Sequence, residues 1–198
     1  MYPPLRLGIL GSGKGSNCRA LVEAARAQEL NYEPVIVVSD IEGAGILRLA
    51  EEFHIPSKFL EPGPFKTKFS EEAEHRLVAC LQEAKVDFLA LAGFMRVIKE
   101  PLLSAFSGRI LNIHPSLLPQ FPGLEAWRQA FEAKVSESGC TVHLVDAGVD
   151  TGKILGQTHV PVLADDTSET LHARIQEAEH ELYPRVVNAF AQQLRAEN

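Results

Sequence analysis

Short apolar segments alternate along the chain with longer segments whose apolar residues recur at the spacing of one helix face. Pro34 to Ser39 is almost continuously apolar, which is typical of a strand buried on both faces of a sheet. Leu5 to Leu10 is an earlier apolar segment of this kind. The helical i, i+3, i+4 pattern appears between the two segments, at Cys18, Leu21 and Val22. This order predicts an α/β fold: a Rossmann-like, mostly parallel sheet with helices on both faces and right-handed crossovers.

The rest of the chain continues the alternation. Further strands are predicted at 57–60, 86–92, 109–113, 140–146 and 153–160, and further helices at 46–53, 73–84, 101–108, 125–134 and from about 167 onward. The last two strands lie near enough in sequence to pair as a hairpin around the glycine-rich turn Gly148 to Gly152. Pro184 lies inside the last helix and removes a backbone donor, so we expect a kink or a break there.

Size and composition restrict the function. The 198 residues, 45% hydrophobic and 23% charged, predict one domain over residues 1–198 whose core needs no disulfide or metal. A net charge of −7 has the wrong sign for a nucleic-acid-binding surface. Phe88 to Met95, the longest apolar run, is too short to span a membrane, and three scattered cysteines argue against disulfides and zinc. We therefore expect a cytoplasmic protein without nucleic-acid or membrane partners.

The first predicted strand ends in a glycine-rich turn, Gly11 to Asn17. Ligands of parallel α/β sheets bind beyond the carboxyl ends of the strands. Glycines let backbone N–H groups approach an anion, and the helix that follows adds unpaired donors, so the turn favours a phosphate. Ser16 replaces the third glycine of G-x-G-x-x-G, and no Walker A ending is present. The alternative is a plain turn in which Ser16 or Asn17 caps the helix.

Asp40 follows the second strand, where a dinucleotide-binding fold places the acid that binds ribose. A nicotinamide-dependent enzyme is therefore a competing hypothesis. The missing third glycine weakens it, and a lone aspartate after a strand is more often a turn or cap residue.

Asn112 and His114 lie at the end of a predicted central strand. Side chains two residues apart in a strand point to the same face, so the amide and the imidazole should lie side by side. Pro115 then ends the strand pairing. Polar groups in this position cost free energy unless they bind a ligand or each other. The two residues are therefore either part of a ligand-binding, catalytic site or a hydrogen-bonded structural pair.

Asp150 lies between glycines in a short loop that could bring its carboxylate close to His114. A carboxylate beside an imidazole favours the imidazolium, so we expect the pKa of His114 to be raised. Taken alone, Asp150 is also consistent with a turn residue. The Asp-Thr-Gly triplet of aspartic proteases requires an all-β setting, which the alternating pattern contradicts. Among the other histidines, His143 is the one predicted to lie in a strand near this site.

Five segments together resemble one enzyme family. They are Gly11-Ser-Gly-Lys-Gly-Ser-Asn17, Leu91-Ala-Gly-Phe-Met-Arg96, Asn112-Ile-His-Pro-Ser-Leu-Leu-Pro119, Phe121-Pro-Gly123 and the Asp150 loop. The chain resembles, over essentially its whole length, the folate-dependent phosphoribosylglycinamide formyltransferases. The resemblance implies a formyltransferase-type sheet and formyl transfer from 10-formyltetrahydrofolate, the co-substrate, to the glycinamide amine of a ribosyl phosphate in purine synthesis. It implies no metal.

The resemblance also implies roles for particular residues. The substrate phosphate would be held at Gly15, Ser16 and Asn17, with Gln176 and Glu179 contacting the same substrate. Folate binding would involve Lys68, Met95, Arg96, Val97, Ile98, Asn112, Asp146 and Asp150. Catalysis would fall to Asn112, His114 and Asp150. The N-terminal part of the domain would thus bind the ribonucleotide, and the C-terminal part would bind folate and carry out catalysis. Both substrates are anionic, so binding should rest on the turn amides and on the cations Lys68 and Arg96.

Three related possibilities remain. Methionyl-tRNA formyltransferase shares the Asn-x-His-Pro-Ser-Leu-Leu-Pro element but carries a further tRNA-binding domain, and formyltetrahydrofolate deformylase carries a regulatory domain before this one. A length of 198 residues favours neither. A non-catalytic nucleotide- or folate-binding protein would need Asn112 and His114 only as structural groups. We expect small-molecule substrates and a monomer or homodimer. Glu125 replaces a histidine that many relatives carry, and the resemblance implies no role for Trp127.

Overall fold

A computed structural model describes residues 3–197. In this part of the chain, the strands are β1 (Leu5–Leu10), β2 (Tyr32–Ser39), β3 (Ser57–Phe59), β4 (Phe88–Leu91), β5 (Ile110–His114), β6 (Glu137–Leu144) and β7 (Ile154–Pro161). The helices are α1 (Ser16–Ala27), α2 (Gly45–Glu52), α3 (Glu71–Glu83), α4 (Leu102–Ala105), α5 (Ala126–Glu132) and α6 (Ser168–Ala196).

The strands form a single sheet in the order β3-β2-β1-β4-β5-β6-β7. The five strands from β3 to β5 are parallel, and β6 and β7 add an antiparallel hairpin at one edge. The predicted mostly parallel sheet and the predicted hairpin are both confirmed.

Helices cover both faces of the sheet, and alternate side chains of each central strand face opposite cores. Phe88 and Ala90 of β4 pack in the core beneath α1, α2 and α6, whereas Leu89 and Leu91 pack in the core beneath α3 and α4. Burial of both faces explains why these strands are continuously apolar. The spacing of Cys18 and Leu21 on α1 has the same origin, since both are completely buried.

The chain reverses its direction of winding between β1 and β4, which are neighbours in the sheet but lead to connections on opposite sides. Such a switch point opens a crevice at the carboxyl ends of the strands. The loops that leave the two strands meet there, because Ser12 N–H donates to the carbonyl of Gly93 at 3.0 Å. The end of β5 lies next to β4 and borders the same crevice.

The structure excludes two of the local alternatives. Helix α6 continues through Pro184 over 29 residues, so of the expected kink or break the break does not occur. Pro184 and the neighbouring Tyr183 are buried, and this packing offsets the backbone bond that proline removes. At α1, the residue before the first helical turn is Gly15, in the left-handed conformation with φ +88°, and neither Ser16 nor Asn17 caps the helix. In the described chain, no helix is both long enough and apolar enough to cross a membrane.

Candidate active site

Asn112 and His114 lie on the same face at the carboxyl end of β5, as predicted, and His114 is the last residue of the strand. The two side chains bind different partners. Asn112 Nδ2 lies 3.1 Å from Nε2 of His143, its neighbour across the β5–β6 pairing. His114 instead contacts the loop after β5 and the loop that carries Asp150. The alternative that Asn112 and His114 form a hydrogen-bonded structural pair with each other is therefore wrong.

His114 is buried and has an acceptor on each side of its ring. Its Nε2 lies 2.9 Å from the carbonyl oxygen of Phe121, and because a carbonyl only accepts, Nε2 carries a hydrogen in this contact. Its Nδ1 lies 3.4 Å from Oδ2 of Asp150, which is longer than an ordinary hydrogen bond. The predicted proximity of Asp150 and His114 is confirmed.

The expected direction of the His114 pKa shift is wrong. Burial lowers the pKa of His114, and the Phe121 carbonyl and the charge of Asp150 offset only part of that effect. Moving the imidazolium out of water costs more free energy than its attraction to the Asp150 carboxylate at this distance returns. The ring is therefore mostly neutral at neutral pH, with its hydrogen on the side of Phe121.

Asp150 is positioned by its own backbone and by the loop after β5. Its φ of +55° lies in the left-handed region, where a non-glycine residue needs support from its surroundings. The N–H of Gly123 donates to Oδ2 at 2.8 Å, and Oδ1 lies 3.5 Å from Nε2 of His143. Burial alone would raise the pKa of Asp150, but the Gly123 N–H and the positive charge that His143 and His114 carry when protonated outweigh it and hold the pKa below its usual value. Asp150 is therefore a carboxylate near neutral pH.

His143 completes the cluster and is buried. Its Nδ1 lies 2.8 Å from the carbonyl oxygen of Leu144, so Nδ1 carries a hydrogen, and Nε2 accepts from the amide of Asn112. The orientation of the Asn112 amide is fixed in this way. The resemblance implies no role for His143, and its place in a strand beside the site was the one sequence signal that pointed to it.

The turn after β1 and one face of α6 come together at the start of α1. The first amides of α1 have no partners within the helix, as at any helix start, and the left-handed Gly15 brings the chain close to Ile46. Asn17 Nδ2 donates to Oε2 of Glu179 at 2.9 Å. Gln176 lies one turn before Glu179 on α6. Burial raises the pKa of Glu179 to about 7.

Asp40 and Arg96 form a buried ion pair at the base of the crevice. Arg96 Nε donates to Oδ2 of Asp40 at 2.6 Å, and the Ser12 hydroxyl donates to Oδ1 at 2.6 Å. Arg96 also donates to the carbonyls of Phe65 and Lys68. The carboxylate of Asp40 is thus occupied by protein partners, and so is the guanidinium of Arg96. The predicted contact of Arg96 with an anionic substrate stays a prediction, and the structure shows that its Nε and Nη1 already have protein partners.

The other predicted folate contacts surround this ion pair. Met95 is exposed, and its N–H donates to the Ser12 hydroxyl at 3.0 Å. Val97 pairs with Lys68 in a short parallel bridge. The ammonium of Lys68 lies 4.7 Å from the centroid of the Phe65 ring, and Lys68 is exposed. Ile98 is buried in the core beneath α3, so only its main chain is open to a ligand.

Asp146 shapes the loop between β6 and β7. Its Oδ1 accepts from the N–H of Gly148 at 2.9 Å and from the hydroxyl of Thr151 at 2.7 Å. Glu125 is exposed and binds Arg128 at 2.7 Å, so its charge is held outside the cluster. Within residues 3–197, no group of three or more His, Cys, Asp or Glu side chains is arranged to hold a metal ion.

Comparison with known proteins decides the family. Residues 5–187 match the formyl transferase family. The chain belongs to that family. The competing nicotinamide hypothesis is therefore wrong, in agreement with an Asp40 carboxylate that Arg96 and Ser12 already occupy.

Similar members of the formyl transferase family come from several organisms. The phosphoribosylglycinamide formyltransferase of Bacillus subtilis is 41% identical over 182 residues, which are 92% of each chain. The trifunctional purine biosynthetic protein adenosine-3 of Drosophila melanogaster is 46% identical over 92% of this chain, but this chain spans only 14% of that protein. The structure of glycinamide ribonucleotide transformylase 1 from Symbiobacterium toebii has a TM-score of 0.91 and 43% identity, covering 96% of this chain and 89% of the other. The predicted formyltransferase-type fold is confirmed.

Proposed function

We propose that the chain transfers the formyl group of 10-formyltetrahydrofolate to the amine of 5-phosphoribosylglycinamide in purine biosynthesis. The observation that carries the proposal is the convergence of Asn112, His114 and Asp150 at the end of β5, beside the crevice between β1 and β4. The names of the relatives, phosphoribosylglycinamide formyltransferase and glycinamide ribonucleotide transformylase, support the same reaction.

The start of α1 suits the ribonucleotide. Its free amides and the positive end of its dipole favour a phosphate at Gly15, Ser16 and Asn17. Within the described chain, Asn17 Oδ1 is buried and has no hydrogen-bond partner. An unpaired buried acceptor next to the Glu179 carboxyl fits a substrate that brings N–H donors, as a glycinamide does. Gln176 would add a contact from the same face of α6.

The reaction forms one C–N bond and breaks another. The substrate amine attacks the formyl carbon, and the carbonyl electrons move to oxygen to give a tetrahedral species with an oxyanion. The bond from carbon to folate N10 then breaks, with its electron pair going to N10. The amine loses one proton and N10 gains one, so the site must stabilise an oxyanion and pass on a proton.

Asn112 is suited to the oxyanion. One hydrogen of its amide is bound by Nε2 of His143, which leaves the second hydrogen for the substrate oxygen. A donor fixed in advance in this way contributes about 10²- to 10³-fold in rate. His143 would act as a positioning residue for Asn112.

His114 is suited to the proton. The neutral ring of the free enzyme would take up the proton that the attacking amine loses and then pass it to the folate N10. The negative charge on the substrate and Asp150 together favour the imidazolium in between. General acid and base catalysis of this kind contributes about 10²- to 10⁴-fold. The 3.4 Å separation of Nδ1 and Asp150 leaves the pair free to tighten when the ring is protonated.

Folate would lie along the segment Met95 to Ile98 and under the loop that carries Asp146 and Asp150. The main chain of 95–98 would make the contacts, since the side chain of Arg96 binds Asp40 and that of Ile98 is in the core. The exposed ammonium of Lys68 would meet an anionic group of the co-substrate. The N-terminal part of the chain would thus hold the substrate phosphate, and the C-terminal part would supply the reacting groups and the loop over folate. Lys68 and residues 95–98 would add folate contacts from the N-terminal part, and Gln176 and Glu179 would add ribonucleotide contacts from α6. We place this chemistry in the cytoplasm, where its three buried, free cysteines would stay reduced.

One assay separates this function from its alternatives. Purified protein is incubated with 10-formyltetrahydrofolate, with and without the glycinamide ribonucleotide, and release of tetrahydrofolate is followed. We expect release only when the ribonucleotide is present. Release without it would indicate a hydrolase and would overturn the proposal, and binding without release in either case would indicate a non-catalytic binding protein.

A further inference from the structure

The loop 121–125 contacts both residues that the proposed reaction needs for proton transfer. The carbonyl of Phe121 accepts from His114 Nε2 at 2.9 Å, and the N–H of Gly123 donates to Oδ2 of Asp150 at 2.8 Å. Both contacts are made by the main chain. The geometry of the His114 and Asp150 pair therefore depends on the backbone conformation of this loop.

That conformation is not one the loop would adopt by itself. Phe121 and Glu125 have φ of +52° and Gly123 has φ of +85°. Two of these three left-handed residues carry a side chain, and such residues persist only where the surrounding structure holds them. The loop therefore needs an external support.

Gln129 provides this support from α5. Its Nε2 donates to the carbonyl of Leu124 at 2.8 Å and to the carbonyl of Pro122 at 3.3 Å. These carbonyls flank Gly123, so the two amide hydrogens of Gln129 hold the residue that binds Asp150. At the other end of the loop, the hydroxyl of Ser116 donates to Gln120 and Phe121.

Helix α5, which carries Gln129, is held against α6 by a ring contact. The ring of Trp127 stacks on that of His172 from α6, with centroids 3.8 Å apart and planes at 4°. Burial lowers the pKa of His172, so the stacked ring is neutral. Trp127, for which the sequence suggested no role, thus joins α5 to α6.

We infer that Gln129 is a positioning residue, whose side-chain amide holds the loop 121–125 and thereby sets the geometry of Asp150 and His114. The inference rests on the proposed function only in the part that predicts an effect of Gln129 on turnover. Its structural part, the placement of Asp150 and His114, applies to the protein without any substrate.

The test uses two variants of the full chain. Gln129→Leu removes both hydrogens, and Gln129→Glu keeps the size of the side chain but offers no donor at neutral pH. Glu132→Gln, an exposed change on the same helix, is the control. We expect kcat to fall about 10- to 100-fold in both variants, as a displacement of about 1 Å would cause, with KM for both substrates little changed. The control should match the wild type.

Ring NMR gives a readout that needs no substrate. The titration of His114 should move to lower pH in Gln129→Leu, which adds no charge, because loosening of the loop weakens the acceptor that favours the charged ring, and it should not move in Glu132→Gln. In Gln129→Glu the added carboxylate itself favours the charged ring and opposes this shift, so that variant is judged by its kcat. Unchanged kcat with an unmoved titration would overturn the inference, as would a higher KM at unchanged kcat, which would make Gln129 a substrate contact. Should Gln129→Leu not fold, the isosteric Gln129→Glu decides. Failure of the wild type to turn over would refute the proposed function and leave the titration as the test of Gln129.

Discussion

Replacing Asp40 by alanine should destabilise the protein far more than a typical loss of an ion pair. The Arg96 and Asp40 side chains are 10% and 2% exposed, and their closest atoms are 2.6 Å apart. Asp40→Ala leaves the guanidinium buried and unpaired, and it removes the acceptor of the Ser12 hydroxyl. Breaking a buried pair from one side costs about 3 to 5 kcal/mol. That loss is a large share of the roughly 5 to 15 kcal/mol by which folded domains are stable.

The expected loss is measured by urea unfolding, from the midpoint and slope of the transition. In thermal unfolding it corresponds to a fall in Tm of about 6 to 20 °C for a chain of this size. Arg76→Ala is the matched control, because Arg76 pairs with Glu72 at 3.0 Å but the side chains are 49% and 82% exposed. We expect that variant to lose about 0 to 1 kcal/mol.

The double variant Asp40→Ala, Arg96→Met separates the charge from the packing. Removing both partners leaves no uncompensated charge, so the double variant should be more stable than Asp40→Ala alone. A loss below about 1 kcal/mol for Asp40→Ala, similar to the exposed pair, would refute the reasoning. A double variant less stable than Asp40→Ala would refute it as well.

Two further predictions concern pH. In Asp150→Asn, the pKa of His114 should fall further, because the carboxylate is one of the groups that favours the imidazolium. The acidic limb of the pH profile, where protonation of the neutral ring of the free enzyme removes activity, should therefore move to lower pH than in the wild type. The pH profile of kcat/KM measures this shift. In Glu179→Gln, the free energy of unfolding should depend less on pH between about 5 and 8 than in the wild type. Because the pKa of the Glu179 carboxyl is raised to about 7 in the folded protein, the folded state keeps a proton there that the unfolded state has lost. Wild-type stability therefore falls as pH rises through that window, by on the order of 3 kcal/mol. Urea unfolding at several pH values measures it.

Each of these has an outcome that contradicts it. An unmoved limb in the pH profile of Asp150→Asn would mean that the 3.4 Å contact with His114 carries no electrostatic interaction. Equal pH dependence of stability in Glu179→Gln and the wild type would mean that the buried carboxyl does not titrate in this range.

The sequence was most informative where strand periodicity and chemistry coincide. Alternating apolar segments predicted the mostly parallel sheet and the edge hairpin, because burial on both faces selects continuous apolar strands. The period of two placed Asn112 and His114 on one face at the end of β5. Proximity of Asp150 followed from a glycine-flanked loop that connects the two hairpin strands.

Features that depend on tertiary contacts could not be predicted. The pKa of His114 depends on how far burial, which lowers it, outweighs the Phe121 carbonyl and the Asp150 charge, which raise it. The periodicity of the sequence does not measure the size of either effect. Arg96 and Asp40 are 56 residues apart, and only the meeting of two loops at the switch point reveals that they neutralise each other. The same is true of Gln129, whose partners are main-chain carbonyls and leave no trace in residue type.

The central claim is that His114 acts in the chemical step and not in binding. Single-turnover formation of the formylated ribonucleotide by His114→Ala, together with calorimetric binding of each substrate, tests it most directly. We predict a rate that falls about 10²- to 10⁴-fold while the dissociation constants stay close to those of the wild type. Substrate binding lost in proportion to the rate, or a rate equal to that of the wild type, would contradict the account.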